Sequence, residues 1–369
     1  MTTISESKSE ERLIIGSQLK KARKLLRFEP EEVAKEINVS SVDIISWEKE
    51  QSKPNLKQLE ALANFYGRDI DYFVRETPTV PEKIEFRGKP EQSLRDLPLE
   101  VRTVLSRFDD LCRSALEFET LLNKKRETKL PHFKESEHPK NATRALREKF
   151  NVGDKPLSNL RNRLEDEGIR IFELPVPEDA FSGFSFWHKE YGPCILLNYN
   201  ETKGKKNFTL AHELAHLLYN HEATLCYIPQ RFGRARRDEE YNANQFAIEL
   251  LLPKSGVIED FKKRNLSVTP SQKELGQLAN KWGVSIQALG YRLENFELIK
   301  KGYIETLLEP KPFRRRSRTP KWEKQLGKRY VEISFEAHQK GIVSTGKLAH
   351  SLGITIREAM REIEQRFRK

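Results

Sequence analysis

Residues 208–222, FTLAHELAHLLYNHE, decide how the central part of this chain is read. Phe208, Leu210, Ala211, Leu214, Ala215, Leu217 and Leu218 make a helix that is apolar nearly all round, and His212, Glu213 and His216 stand inside it. Histidines four apart project from one helix face and can hold one zinc ion, while Glu213 lies beside it, placed to take a proton from a water that the metal acidifies. Polar groups buried without partners are costly, so a ligand is the economical account of this pattern. Chance occurrences favour exposed, charge-rich helices, which this is not.

A catalytic zinc takes three protein ligands and leaves one position open. The third ligand is sought in DEEYNANQFAIELLLP, residues 238–253, a second helix with Ala243, Phe246, Ala247, Leu250 and Leu251 on its apolar side and a proline stop. Glu240 shares a face with Ala243, Asn244 and Ala247, small residues that allow close approach, whereas Glu239 is one position round. On the residues alone both stay open, since either can be a solvated first-turn carboxylate facing the helix dipole. His221 sits five residues past His216, roughly 140° round the helix, and is a poor candidate. Tyr219 and Glu222 stand where an extended three-histidine motif needs glycine and histidine, which removes that reading.

Working outward, strand-like runs occur at 168–176, 182–188 and 194–200, each aliphatic or aromatic and bounded by Gly, Pro or Asn. Short helical patterns fill 13–73, five in number, and one long amphipathic pattern covers 99–124 behind Pro98. The domain division expected is 11–76, a linker and connecting helix over 77–138, a main domain over 139–308, and a basic helical region over 311–369. In the last, Leu348, Ala349, Leu352, Ile354 and Ile356 are expected to be buried.

The chain has 369 residues, 66 Lys+Arg and 55 Asp+Glu, a net charge of +11. That length suits two or three domains. The basic balance points to nucleic acid, but its distribution moves the argument: residues 1–76 carry 13 basic and 14 acidic groups, and residues 311–369 carry 16 and 6. The basic surface therefore lies in the tail, where Arg314, Arg315, Arg316 and Arg318 are either a phosphate-contacting arm or a solvated linker. No apolar run is long enough to span a membrane and no signal peptide is visible, so the expected compartment is the cytoplasm. Cys112, Cys194 and Cys226 read as free thiols.

Residues 139–308 resemble the ImmA/IrrE metallopeptidase family through PLSNLRNRLEDEGIRIFELP, CILLNYN, FTLAHELAHLL and EEYNANQFAIELLLP, in that order. The resemblance implies a zincin-like domain with a small sheet, His212 and His216 as metal ligands, Glu240 rather than Glu239 as the third, and Glu213 as catalytic base. The metal it implies is Zn2+, with Mn2+ as the substitute. The activity it implies is an intracellular endopeptidase acting on a regulatory protein such as a helix-turn-helix repressor.

Residues 19–74 are similar to the XRE, or phage-repressor, helix-turn-helix family. Val33, Ala34, Ile37, Ile44 and Trp47 supply the buried faces, and the Leu56/Leu59/Leu62 stripe closes the core. Ser40, Ser41, Asp43, Ser46 and Lys49 are then the candidate DNA contacts. Two departures stand out: Pro30 where the family commonly has Gln, and Glu50–Gln51 where it usually has Gly. The reading helix also lacks the Arg or Asn that recognises bases bidentately.

The expected fold is α+β and mainly helical: an all-α helix-turn-helix domain, a zincin-like domain with a small sheet, and a helical C-terminal region. The expected function is a DNA-binding prokaryotic regulator with a zinc endopeptidase, with a homodimer compatible. The alternative is a transcription factor or antitoxin whose peptidase-like domain senses or docks and cleaves little.

Overall fold

The structure, a computed structural model, describes residues 16–26, 28–66, 68, 70–73, 97–177, 180–219, 234–308 and 321–367. Among them the chain is mainly helical, with seventeen α-helices and one three-stranded sheet, the α+β class expected. The described residues fall into two compact units, one ending at Asp110 and one beginning at Leu111.

The first unit holds α1 (Gly16–Leu25), α2 (Pro30–Glu36), α3 (Ser41–Glu48), α4 (Leu56–Tyr66) and a single 3-10 turn, Ile70–Phe73. Pro30 is the first residue of α2, the position where a missing N–H costs nothing, and Glu29 with Glu32 closes a capping box around it. The turn between α2 and α3 passes through Asn38 at φ 56°, a left-handed conformation that Asn tolerates. Val33, Ala34, Ile44, Trp47, Leu59 and Leu62 join Phe28, Tyr66 and Phe73 in the core. Leu56 does not: it begins α4 and is 66% exposed, leaving Pro54 to fill that end of the core. Arg23 grips Glu48 with both carboxylate oxygens and so ties α1 to α3. The helix α5 (Leu99–Leu121) runs through the unit boundary. Its first half belongs to the first unit through Arg102 on Glu32 and Asp109 on the buried Arg68. Residues 77–96 of the connecting segment lie outside the described residues.

The second unit continues with α6 (Pro139–Lys149), α7 (Leu160–Asp166), and the strands β1 (Arg170–Leu174), β2 (Gly183–His188) and β3 (Gly192–Asn198), all inside or within two residues of the expected strand spans. β3 is central, parallel to β1 and antiparallel to β2, so β2 is an edge strand. The helix α8 (Lys203–Leu218), capped by Thr202, packs across β2 and β3. Beside it lies α9 (Arg234–Leu251). Ala211, Ala215, Ala243 and Ala247 are all fully buried, and these small side chains let the two helices approach closely. The helices α10 (Lys254–Lys263), α11 (Gln272–Trp282), α12 (Ile286–Asn295) and α13 (Tyr303–Leu307) complete the same core through Val257, Phe261, Leu278, Trp282, Leu293 and Ile304.

The C-terminal helices α14 (Trp322–Leu326), α15 (Lys328–Gln339), α16 (Thr345–Leu352) and α17 (Ile356–Phe367) belong to this second unit. Tyr330 of α15 meets Phe172 of β1 edge-on at 5.2 Å and lies 6.1 Å from Phe118. Glu119 accepts from Arg170 at 2.6 Å and from Arg329 at 3.2 Å, while Arg161 donates to the carbonyls of Lys324 and Gln325. Leu348, Ala349 and Leu352 are buried as expected. Ile354 is only half-buried and Ile356 is 58% exposed, because α17 lays Ala359 against the core and carries its first turn beyond it.

Candidate functional site

His212 and His216 lie on successive turns of α8, and Glu240 comes from the second turn of α9. Their side chains converge. Glu240 Oε2 is 3.3 Å from His212 Nε2, Glu240 Oε1 is 3.5 Å from His216 Nε2, and the two Nε2 atoms are 3.0 Å apart. These three residues are the group of potential metal ligands found among the described residues, with one ligand atom from each lying within 4.8 Å of the others. Glu239 is not in the group.

The donor chemistry suits a divalent metal ion. Ligands about 2.1 Å from a tetrahedral zinc stand about 3.4 Å from one another, and the spacings here bracket that value. Asn244, one turn beyond Glu240, places its Oδ1 3.1 Å from His212 Nδ1. An amide oxygen only accepts, so Nδ1 carries the proton and the Nε2 lone pair is turned toward Glu240 and His216. Burial works against charge on the His212 imidazole, but the neighbouring Glu240 and Glu213 carboxylates and Asn244 outweigh it and hold its pKa above the ordinary value.

Glu213 is buried, 4% exposed, between α8 and the edge strand. Burial pushes its carboxyl up to about 7, against the pull of His212 and of a hydrogen bond from Ser185. The Ser185 hydroxyl donates to Glu213 Oε2 at 2.7 Å. Two residues earlier on the same strand face, Gly183 leaves the space in which the Glu213 side chain lies: a Cβ there would stand 2.4 Å from Thr209 Cγ2 and 3.0 Å from Glu213 Cγ. Reading the sequence singles out neither Ser185 nor Gly183, and it places Asn244 on the face of Glu240 without giving it a role. The signal for the first two is a small residue at alternate positions of SGFSFWH, where a helix must come close.

In the first unit the outward residues of α3 are partly committed to local structure. Ser40 caps the helix: its hydroxyl accepts from the Asp43 N–H at 3.1 Å and donates to Asp43 Oδ2 at 2.7 Å, which holds the Asp43 carboxyl below the usual range. The Ser46 and Ser52 hydroxyls share a hydrogen bond of 2.8 Å. Ser41 is half-buried, Lys49 is exposed, and Val42, which the sequence reading passes over, is 72% exposed near the start of α3. Arg314, Arg315, Arg316 and Arg318, with His221 and Cys226, lie outside the described residues. Cys112 and Cys194 are buried, and neither is joined in a disulfide among the described residues.

Residues 164–294 match the family Peptidase_M78, described as an IrrE N-terminal-like domain, and residues 19–73 match a family described as helix-turn-helix. No curated protein matches the chain. Among the described residues no helix is long and apolar enough to cross a membrane.

Proposed function

The chain joins a helix-turn-helix domain at residues 19–73 to an IrrE N-terminal-like domain of the Peptidase_M78 family at residues 164–294, and on that premise we propose that it is a cytoplasmic prokaryotic regulator that binds DNA and hydrolyses a peptide bond in another regulatory protein, such as a helix-turn-helix repressor. The observation that carries the reading is the convergence of His212 Nε2, His216 Nε2 and the Glu240 carboxylate beside a buried Glu213.

In this reading His212, His216 and Glu240 hold Zn2+, or Mn2+ in its place. The metal would supply Lewis acidity, acidifying a water and polarising the scissile carbonyl. The remaining work falls to side chains of this chain. Asn244 keeps His212 in the tautomer that presents Nε2. Glu213, with a pKa near neutrality, accepts a proton from the attacking water and returns it to the leaving amine. Ser185 anchors one of the Glu213 carboxylate oxygens, Oε2, to the sheet.

The test compares zinc- or manganese-loaded wild type with Glu213→Gln on purified repressors and on a digest of cellular proteins, reading new N-termini by mass spectrometry. Wild type is expected to generate cleavage sites that the variant lacks. Identical products from both would remove the peptidase reading and leave the domain a metal-dependent sensor. For DNA, the full chain is expected to shift its own promoter fragment with an affinity that falls steeply as salt rises, and Lys49→Glu is expected to weaken the shift.

A further inference from the structure

Gly183 and Ser185 turn toward α8, where they meet Thr209 and Glu213, and Trp187 is the next residue on that face of β2. Trp187 is half-buried against the same core, and the ring of the exposed His132 lies 5.0 Å from its own. The backbone on both sides holds His132 in place. Leu130 is buried in the core, and the Phe133 N–H donates at 2.8 Å to the carbonyl of Leu218, the last residue of α8, two past His216. Beside the two rings stand Phe133, packed on Tyr219 at 5.8 Å, and Pro193, the register partner of Trp187. None of these neighbours carries a charge.

The outer edge of β2 shows what can lie against those rings. The Asn198 N–H donates to the Ser182 carbonyl at 2.9 Å, so hydrogen-bonded pairing with β3 falls on Phe184, Phe186 and His188. Pro193, which has no N–H, stands opposite Trp187, as that alternation allows. The N–H and C=O groups of Gly183, Ser185 and Trp187 point outward instead, and no other described residue hydrogen-bonds to them. Gly183 and Ser185 are buried, where unpaired backbone groups are costly. An extended peptide laid along this edge satisfies them.

We propose, on the peptidase reading of the metal site, that Trp187 and His132 wall a substrate subsite that takes a large apolar side chain, aliphatic or aromatic, about two residues from the cleaved bond. The distance follows from the strand. Ser185, bonded to Glu213, and Trp187 are two residues apart, about 6.8 Å along β2, and same-face side chains of an extended substrate repeat at that step. A bond held beside Glu213 therefore brings a side chain two residues away level with the rings. The uncharged surroundings select an apolar one.

The test passes a randomised peptide library over zinc-loaded wild type, reading the cleaved bonds, and over immobilised zinc-loaded Glu213→Gln, reading the retained peptides. Leu, Met and Phe are expected to exceed Ala at least about tenfold at one position two residues from the cleaved bond, and the retained peptides to be enriched in the same residues. His132→Ala, at an exposed position, is expected to bring both ratios to within about threefold of unity at unchanged zinc content and melting temperature. His132→Phe, which keeps a ring on Trp187, is expected to preserve them. Cleavage without preference on either side at that distance overturns the proposal. So does a preference that His132→Ala leaves unchanged, or a variant that lowers all peptides by one factor, which is a structural role alone. If the library is not cleaved, the peptidase reading falls and the retained peptides decide: apolar enrichment lost in His132→Ala keeps the subsite as a peptide-docking one, and its absence removes it.

Discussion

The Ser185 hydroxyl and the Glu213 carboxylate, 28 residues apart in sequence, share a buried 2.7 Å hydrogen bond between the edge strand and the helix of His212 and His216. Removing it is expected to let Glu213 turn within its pocket while His212, His216 and Glu240 keep their places. Ser185→Ala is expected to retain zinc at one equivalent and to lower kcat about tenfold, the value of one buried hydrogen bond, with Ser185→Thr recovering part of the loss. Metal analysis beside single-turnover cleavage checks it. Reduced zinc content in Ser185→Ala would mean that the bond supports the fold rather than the base.

The contact between Asn244 and His212 lies at the proposed metal ligands rather than at Glu213. Asn244→Ala is expected to weaken zinc binding by about 10–100-fold, the usual cost of losing a group that orients a metal-bound histidine. Glu240→Gln is expected to weaken it further and Glu239→Gln to leave it unchanged, since Glu239 is outside the converging group. Competition with a zinc-chelating dye orders the variants. Loss of metal in Glu239→Gln with retention in Glu240→Gln would reverse the assignment of the third ligand.

Two glycines separate backbone crowding from helix propensity. A Cβ on Gly256 would stand 1.8 Å from the Asp154 carbonyl oxygen, whereas one on Gly276 would come no closer than 3.5 Å to any neighbouring atom, Ile286 Cδ1. Gly256→Ala is therefore expected to cost about 1–3 kcal/mol through displaced backbone. Gly276→Ala, within α11, is expected to gain about 0.5–1 kcal/mol. Thermal melts of the full chain read both.

Glu50 explains itself once its conformation is known. It sits at φ 60°, where glycine is ordinarily found, and its Oε1 accepts from the Gly16 N–H at 2.9 Å. Strain of about 1–2 kcal/mol for a left-handed residue is offset by that bond. Glu50→Ala keeps the strain and loses the bond, so it is expected to be about 1 kcal/mol less stable. Glu50→Gly removes both and is expected to lie within about 0.5 kcal/mol of wild type. Urea titrations distinguish them.

What the sequence discloses about the site follows from sequence distance. His212, Glu213 and His216 are legible because one helical turn brings them together; the amphipathic pattern of the second helix narrows the third position only to Glu239 or Glu240, and the family resemblance chooses Glu240. Ser185 and Asn244 act across 28 and 32 residues, through pairings that only the packing of α8 on β2 and α9 creates. Leu56 and Ile356 expose a different limit. Apolar spacing shows that a helix has a greasy side, but whether anything covers it depends on where the helix begins relative to its neighbours. The departure at Glu50 was visible as a missing glycine, while the compensating Gly16 contact was not.

The seating of Tyr330 on Phe172, with Glu119 held between Arg170 and Arg329, ties the C-terminal helices to the sheet. The matched segment, 164–294, does not contain all of this packing: its first strand is covered by a tail that the family match does not reach. A truncation after residue 308 would put an aromatic strand edge into water and leave Glu119 with one arginine where it now has two. Such a fragment would be prone to clump by that edge, and an inactive truncation would say nothing about the chemistry. The tail is thus held by packing on its sheet-facing side, so a substitution at Tyr330 or Arg329 is felt by the sheet although both stand outside the matched segment.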